Sequence, residues 1–243
     1  MNDLRGLSDA DVARVADALA DRLGANGGRT SNDGGRTSGV GRAPRATSAQ
    51  KKKSRDLKYL TEEETGRLFA AIRASKGLWA ERDLALFEVA YHRGLRASEV
   101  RLMETGHVQR GRIYTTRLKN GVSNWYVATE REDKALRAWM RVRTRLKIES
   151  KALFISSRRR PISRQQLDVL IKAYGKEAGI PQEKCHFHVL RHTSAMTLLN
   201  QCEARIEEVQ DHLGHVDIRN TMIYARLGDK RREKLGLRVQ REW

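Results

Sequence analysis

HFHVLRHTSAMTLL, residues 186–199, is the stretch from which the rest of the chain becomes readable. The spacing predicts a helix over 189–201, and His188 and Arg191, three positions apart, fall on one face at its N-terminal end. Unpaired backbone N–H groups at a helix start favour anions, so an imidazole and a guanidinium there suit a phosphate. His192, next along, reads equally well as a core residue.

Working outward, three further segments carry chemistry-bearing residues. Upstream, YHRGLRASEVRLME (91–104) places Arg96 just after the helix-ending Gly94, at the start of the next helix and three residues before Glu99. A guanidinium can fork onto two oxygens of one phosphate. Downstream, VQDHLGHVDI (209–218) ends a helix at Leu213-Gly214 and starts a turn at His215, and TMIYARL (221–227) puts Tyr224 nine residues later. Between these blocks Lys119 stands beside Asn120-Gly121, a doublet that predicts a tight β-hairpin turn. Each residue alone has an ordinary reading: Arg96 paired with Glu99, Lys119 solvated, Tyr224 structural. Cys185, His186, His188, His212 and His215 match none of the paired zinc spacings, so no metal site is expected.

The remaining pattern is mostly helical. A capping box opens at Thr61-Glu62-Glu63-Glu64, followed by Leu68, Ala71 and Ile72 as an apolar face. Helices are expected over 79–92, 97–103, 131–148, 164–178, 206–213 and 217–227. Residues 112–117 and 125–129, rich in Tyr, Thr, Val, Ile and Trp, read as two strands. The fold class is therefore mainly α with a small antiparallel β-sheet (α+β).

The chain has 243 residues, with 48 Lys and Arg against 30 Asp and Glu, a net charge of +18. Such a field attracts polyanions and drives counterion release from a phosphate backbone. Charge alone does not separate DNA from RNA, ribosomes or anionic membranes. No stretch approaches the roughly 18 apolar residues of a spanning helix, and the N-terminus lacks a signal-peptide core, so no membrane association and a cytoplasmic location are expected. Cys185 and Cys202 are expected to be reduced.

Four segments follow. Residues 1–23 hold a short amphipathic helix with Val12, Val15, Ala16, Leu19 and Leu23 at helical spacing. Residues 24–56 are a basic Gly/Ser/Arg linker in which GGRTS at 27–31 recurs at 34–38. Its Lys51, Lys52, Lys53 and Arg55 suit nonspecific contact with DNA phosphates; the alternative is a soluble spacer. Residues 57–228 form the folded domain. Residues 229–243 are a tail in which Leu235, Leu237 and Val239 alternate like a short strand.

Taken as an ordered set, Arg96, Lys119, His188-x-x-Arg191, Leu213-Gly214-His215 and Tyr224 resemble the catalytic domain of the tyrosine recombinase (phage integrase) family, through GLRASE, HVLRH, LGH and the closing tyrosine. The resemblance covers about residues 57–228. It implies that Arg96, Lys119, His188, Arg191, His215 and Tyr224 are catalytic and that Tyr224 is the nucleophile. The hairpin departs from the family pattern, with Ser123-Asn124-Trp125-Tyr126-Val127-Ala128 where a second basic residue and a Val-Pro pair often stand. Arg117 is therefore the alternative to Lys119. Upstream, the core-binding domain of most members is replaced by one short helix and a linker, as in the short members that invert DNA controlling bacterial surface genes.

The implied activity is site-specific DNA cleavage and rejoining through a 3′-phosphotyrosine, with double-stranded DNA as partner. A dimer or tetramer on DNA and DNA-bending accessory proteins are also implied. With arginines as electrophiles, no cofactor is called for. The alternatives are a type IB topoisomerase, a non-catalytic DNA-binding regulator with the same fold and, from charge alone, an RNA- or ribosome-binding protein.

Overall fold

The structure is a computed structural model, and it describes residues 58–118, 121–225, 236, 237, 239 and 240. The N-terminal helix, the linker with Lys51, Lys52, Lys53 and Arg55, residue Lys119 and most of the tail lie outside the described residues.

Helix α1 (Glu62–Ala74) begins at the expected capping box: Thr61 Oγ1 accepts from Glu64 N, and the Glu64 carboxylate accepts from Thr61 N. Leu68 and Ile72 are buried, and Lys184 donates to Glu64 at 2.7 and 2.8 Å. Helix α2 (Ala80–His92) is the central strut. Leu86, Phe87, Val89 and Ala90 have no exposed surface, which fits a helix packed on several sides. Even its Arg82 is fully buried, stacked 4.9 Å over Trp79 and donating to Ile155 O. Asp83 beside it accepts the Tyr174 hydroxyl at 2.8 Å. A buried charge of this kind persists only when paired and hydrogen-bonded.

Gly94, with φ +55°, stops α2, and the short α3 follows at Ala97–Arg101, ending before the expected Met103. A three-stranded antiparallel sheet then forms from β1 (Val108–Gln109), β2 (Arg112–Thr115) and β3 (Asn124–Val127). The two expected strands are β2 and β3; β1 is too short to show a period-2 pattern. Strands β2 and β3 part at the Thr115–Asn124 pair, so the connection is residues 116–123 rather than a two-residue turn at Asn120-Gly121.

Helix α4 (Glu130–Arg145) packs along α2 through Leu136 and the buried Trp139, whose Nε1 donates to Leu153 O. Glu132 in its first turn takes Arg93 as a two-pronged partner. Helix α5 (Arg164–Glu177) closes the main core. Helices α6 (Val189–Asn200), α7 (Ile206–Leu213) and α8 (Arg219–Ala225) complete the chain.

The core has two parts. The large one runs from Leu60 to Leu190. A second, smaller cluster joins Ala195, Met196, Leu199, Val209, Leu213 and Tyr224 across α6, α7 and α8. Helix α6 belongs to both, so its N-terminal turn lies at the seam. In the tail, Gly236, Leu237, Val239 and Gln240 are helical, where alternation suggested a strand. Among the described residues no helix is long and apolar enough to cross a membrane.

Candidate active site at the seam of the two cores

Two arginines tie the ends of two helices together. Arg191, on the first turn of α6 and 1% exposed, donates through Nη1 to Gly94 O at 2.6 Å and through Nη2 to Leu213 O at 2.9 Å. Arg117, just beyond β2, donates through Nη2 to Arg93 O at 2.9 Å and to His212 O at 2.5 Å. Both cations thus cap the carbonyl-rich C-terminal ends of α2 and α7, where positive charge is favoured.

Their common counter-ion is Glu99, 1% exposed on α3. Its carboxylate accepts from Arg96 Nη1 at 2.7 Å, Arg96 N at 2.9 Å, Leu118 N at 3.2 Å and Arg117 Nη1 at 3.3 Å, with Arg191 Nη1 at 3.8 Å. Burial alone would raise the Glu99 pKa. The Arg96 backbone donor and the Arg117 and Arg191 charges overcome this and hold it below the usual carboxylate range. Glu99 is therefore ionised at neutral pH. The ordinary reading of Arg96, an ion pair with Glu99, and the phosphate-binding reading hold together, because the pair aims the guanidinium.

This scaffold borders a cavity of about 640 Å³ lined by Arg96, His188, Arg191, His192, His215 and Tyr224, with Arg164, Asp168 and His186 beside them. Arg96, His188, Arg191, His215 and Tyr224, chosen from four separate sequence blocks, therefore meet in one place within one chain. Lys119 lies outside the described residues. Its alternative, Arg117, does not line the cavity: its side chain is 1% exposed and its Nη groups are engaged in the scaffold.

Gly214 at φ +64° ends α7, and His215 follows. The His215 Nδ1 meets Thr221 Oγ1 at 2.9 Å, which fixes the ring. Burial together with Arg191, Arg96 and Arg117 pushes the His215 pKa down to about 4. His188, which is open to the cavity, falls to about 4 through desolvation and the charges of Arg191 and Arg96. The Arg191 pKa is lowered to about 10, chiefly by burial and then by Arg96, which leaves it protonated at neutral pH. The cavity is thus lined by three arginines, Arg96, Arg164 and Arg191, by Asp168 and by neutral imidazoles.

Tyr224 is 2% exposed in the smaller core, and burial raises its pKa although Arg191 and Arg96 pull the other way. The ring that meets its hydroxyl is His192, with Nδ1 at 2.9 Å, and not His188. Sequence reasoning left His192 as a core residue and did not see Glu99 as a shared counter-ion. The adjacency of His192 to Arg191 was the one available signal for the first. For the second it was an acid at the third position of a helix that starts at Arg96. Among the described residues no group of three or more His, Cys, Asp or Glu is placed to hold a metal.

A helical domain with a tyrosine and two arginines around one polar cavity defines a class of enzymes that break and rejoin DNA through a tyrosine. The Phage integrase family profile matches residues 58–231, and the chain belongs to this family of tyrosine recombinases. The chain is 34% identical over 171 residues to the type 1 fimbriae regulatory protein FimB of Escherichia coli strain K12, covering 69% of this chain and 83% of FimB. It is 30% identical over 172 residues to the tyrosine recombinase XerC of Caldanaerobacter subterraneus subsp. tengcongensis, covering 70% of this chain but only 48% of XerC. The crystal structure of XerA recombinase superposes with a TM-score of 0.63 at 28% identity, over 74% of this chain and 64% of that one.

Proposed function

We propose that the Tyr224 hydroxyl attacks a DNA phosphodiester to give a 3′-phosphotyrosine and a free 5′-hydroxyl, and that a second attack by a 5′-hydroxyl rejoins the strand. The observation that supports this most directly is the shared cavity of Arg96, His188, Arg191, His215 and Tyr224. A covalent intermediate conserves the bond energy, so rejoining needs no nucleotide cofactor. A phenol with a pKa near 10 is only about 0.1% ionised at pH 7, so its deprotonation costs roughly 4 kcal/mol. Arg96 and Arg191 offset the charge that develops on the nonbridging oxygens, from a geometry already fixed by Glu99 and the helix ends.

His188, which the sequence suits to accept or orient the Tyr224 proton, opens onto the same cavity and there contacts the phosphate. His215 donates from Nε2 when the Thr221 hydroxyl donates to its Nδ1. Lys119 protonates the departing 5′ oxygen. Lys51, Lys52, Lys53 and Arg55 add phosphate contacts along the tether. Residues 57–228 are the catalytic domain, and the tail from 229 serves contact with its own or a neighbouring protomer in a dimer or tetramer on DNA. DNA-bending accessory proteins assist, and the enzyme works at the nucleoid. The 83% span of FimB favours a short recombinase.

The test is covalent trapping. Wild-type protein incubated with nicked genomic fragments yields a DNA–protein adduct whose attached sequence reports the target site. Tyr224→Phe retains DNA binding and yields none. An adduct of equal yield from Tyr224→Phe would falsify the assignment.

A further inference from the structure

Within the sequence-chosen set His188 is the residue suited to accept the proton that Tyr224 must lose, yet the structure shows no hydrogen bond between them. Among the described residues the only side chain hydrogen-bonded to its hydroxyl is His192, through Nδ1 at 2.9 Å, with ring centroids 5.7 Å apart and planes inclined by 53°. Helix α6 places His192 one position after Arg191 and one turn after His188. The His188 ring packs edge-on against His192 with centroids 4.5 Å apart and has no hydrogen bond to Tyr224 among those the structure shows. All three side chains line the cavity with Tyr224, and of the three only His192 is hydrogen-bonded to the nucleophile.

Resting on the reading of Tyr224 as nucleophile, we infer that His192, protonated on Nε2 and open at Nδ1, is the base that takes the Tyr224 proton during cleavage and returns it during rejoining. In the cleavage step the O–H bond of Tyr224 breaks and its proton passes to His192 Nδ1. The phenolic oxygen bonds to phosphorus, and the bond from phosphorus to the 5′ oxygen breaks. That oxygen leaves with a proton from the acid on the opposite side, assigned above to Lys119. Rejoining runs the same transfers backwards.

The surroundings make this proton transfer conditional on substrate. His192 faces His188 and Arg191 from its own helix, His186 from the segment before it, His215 from the turn after α7, and Tyr224 from α8. Burial, followed by the neighbouring His188, His186, Arg191 and His215, pushes its pKa down to about 3. The ring is therefore a neutral acceptor at neutral pH. A bound phosphodiester brings one negative charge beside Arg96 and Arg191, and the pentavalent stage brings another. Both offset the Arg191 charge, one of the causes besides burial that keep a proton off His192, so its basicity rises as the attack proceeds.

The experiment measures single-turnover cleavage, from pH 6 to 9, of a duplex carrying the sequence recovered by covalent trapping. His192→Asn keeps an acceptor near the Nδ1 position but cannot take the proton. It is expected to be about a hundredfold slower at pH 7, with a rate that climbs about tenfold per pH unit because only pre-ionised phenol reacts, where the wild type levels off. Replacing the scissile 5′ oxygen with sulfur, which leaves without a proton, is not expected to restore the rate. Added imidazole is expected to restore part of it in His192→Ala.

A uniform loss with the wild-type pH profile, or full recovery with the sulfur duplex, would overturn the inference. So would transfer of the tenfold-per-unit slope to His188→Asn, which is expected to lose rate while keeping the wild-type profile. A wild-type protein that forms no adduct would sink the nucleophile reading itself. A normal wild-type adduct with an unaltered His192→Asn sinks only the base.

Discussion

The cationic wall of the cavity and the wall that carries the tyrosine are held in different ways. Arg117, Arg191 and Glu99 have side chains with 1% exposure or less, and the two arginines bond the end of α2, in the large core, and the end of α7, in the smaller one. Tyr224 sits on α8, where only Thr221 and Tyr224 are buried, and the side chains around it are open: Val216 at 64%, Ile223 at 43% and Met222 at 40% exposure. Groups that stabilise developing charge work best when they need not reorganise. A segment with few buried contacts opens at low free-energy cost. The contrast assigns rigidity to the phosphate clamp and adjustability to the nucleophile.

Glu99→Gln attacks the rigid wall at its centre and has the largest expected effect. It leaves three arginines without their shared anion, and losing one partner of a buried ion pair costs about 3 kcal/mol or more. Denaturant unfolding should show a matching fall in midpoint, and an unchanged midpoint would remove the keystone role. Gly214→Ala strikes the joint between the walls. The residue holds φ +64°, and an added Cβ would lie 2.9 Å from Arg117 Cγ. A loss of about 2 kcal/mol is expected from the strained backbone and the displaced arginine, with slower cleavage at unchanged DNA affinity.

Acid should loosen both walls. Burial, with Arg117 and Arg93 next, lowers the His212 pKa from 6.5 to about 4, and burial lowers His192 to about 3. Between those values and the ordinary range the unfolded chain binds protons that the folded chain does not, so stability is full above about pH 6.5 and declines as the pH falls towards 4. Melting temperatures at pH 7.5, 5.5 and 4.5 check the sign; a flat response would refute it. The smallest effect is expected from Thr221→Val. Freeing His215 Nδ1 costs about 1 kcal/mol in stability and about tenfold in cleavage, and an unaltered rate would show that the ring needs no such anchor.

Much of this was legible beforehand, for identifiable reasons. The Thr61 capping box and the Leu213-Gly214 stop are local signals written within a few residues, and both hold. The Asn120-Gly121 doublet is also local, yet tertiary contacts override it. Arg117 N donates to Ser123 Oγ and Leu118 N donates to Glu99, so the chain after β2 is spent on reaching the arginine scaffold instead of turning back at once. His192 was illegible for the opposite reason. Its partner Tyr224 lies on another helix, and the HVLRH stretch signals only that His192 adjoins Arg191, not which side chain it meets. Arg96 with Glu99 stands between these cases: the pair can be read from the sequence, but the other two arginines that share the acid cannot.

Gly121 and Gly214 touch across that joint, since a methyl group built on Gly121 would lie 2.6 Å from Gly214 O and 2.8 Å from Arg117 Cβ. Two residues without side chains thus let the loop after β2 lie flush against the end of α7, like the bare faces of a mortise. A side chain added at either face would act as a wedge, prising the loop and His215 apart in a single motion. Tuning the enzyme's speed by protein engineering would therefore start at this seam, with no cavity-lining residue altered.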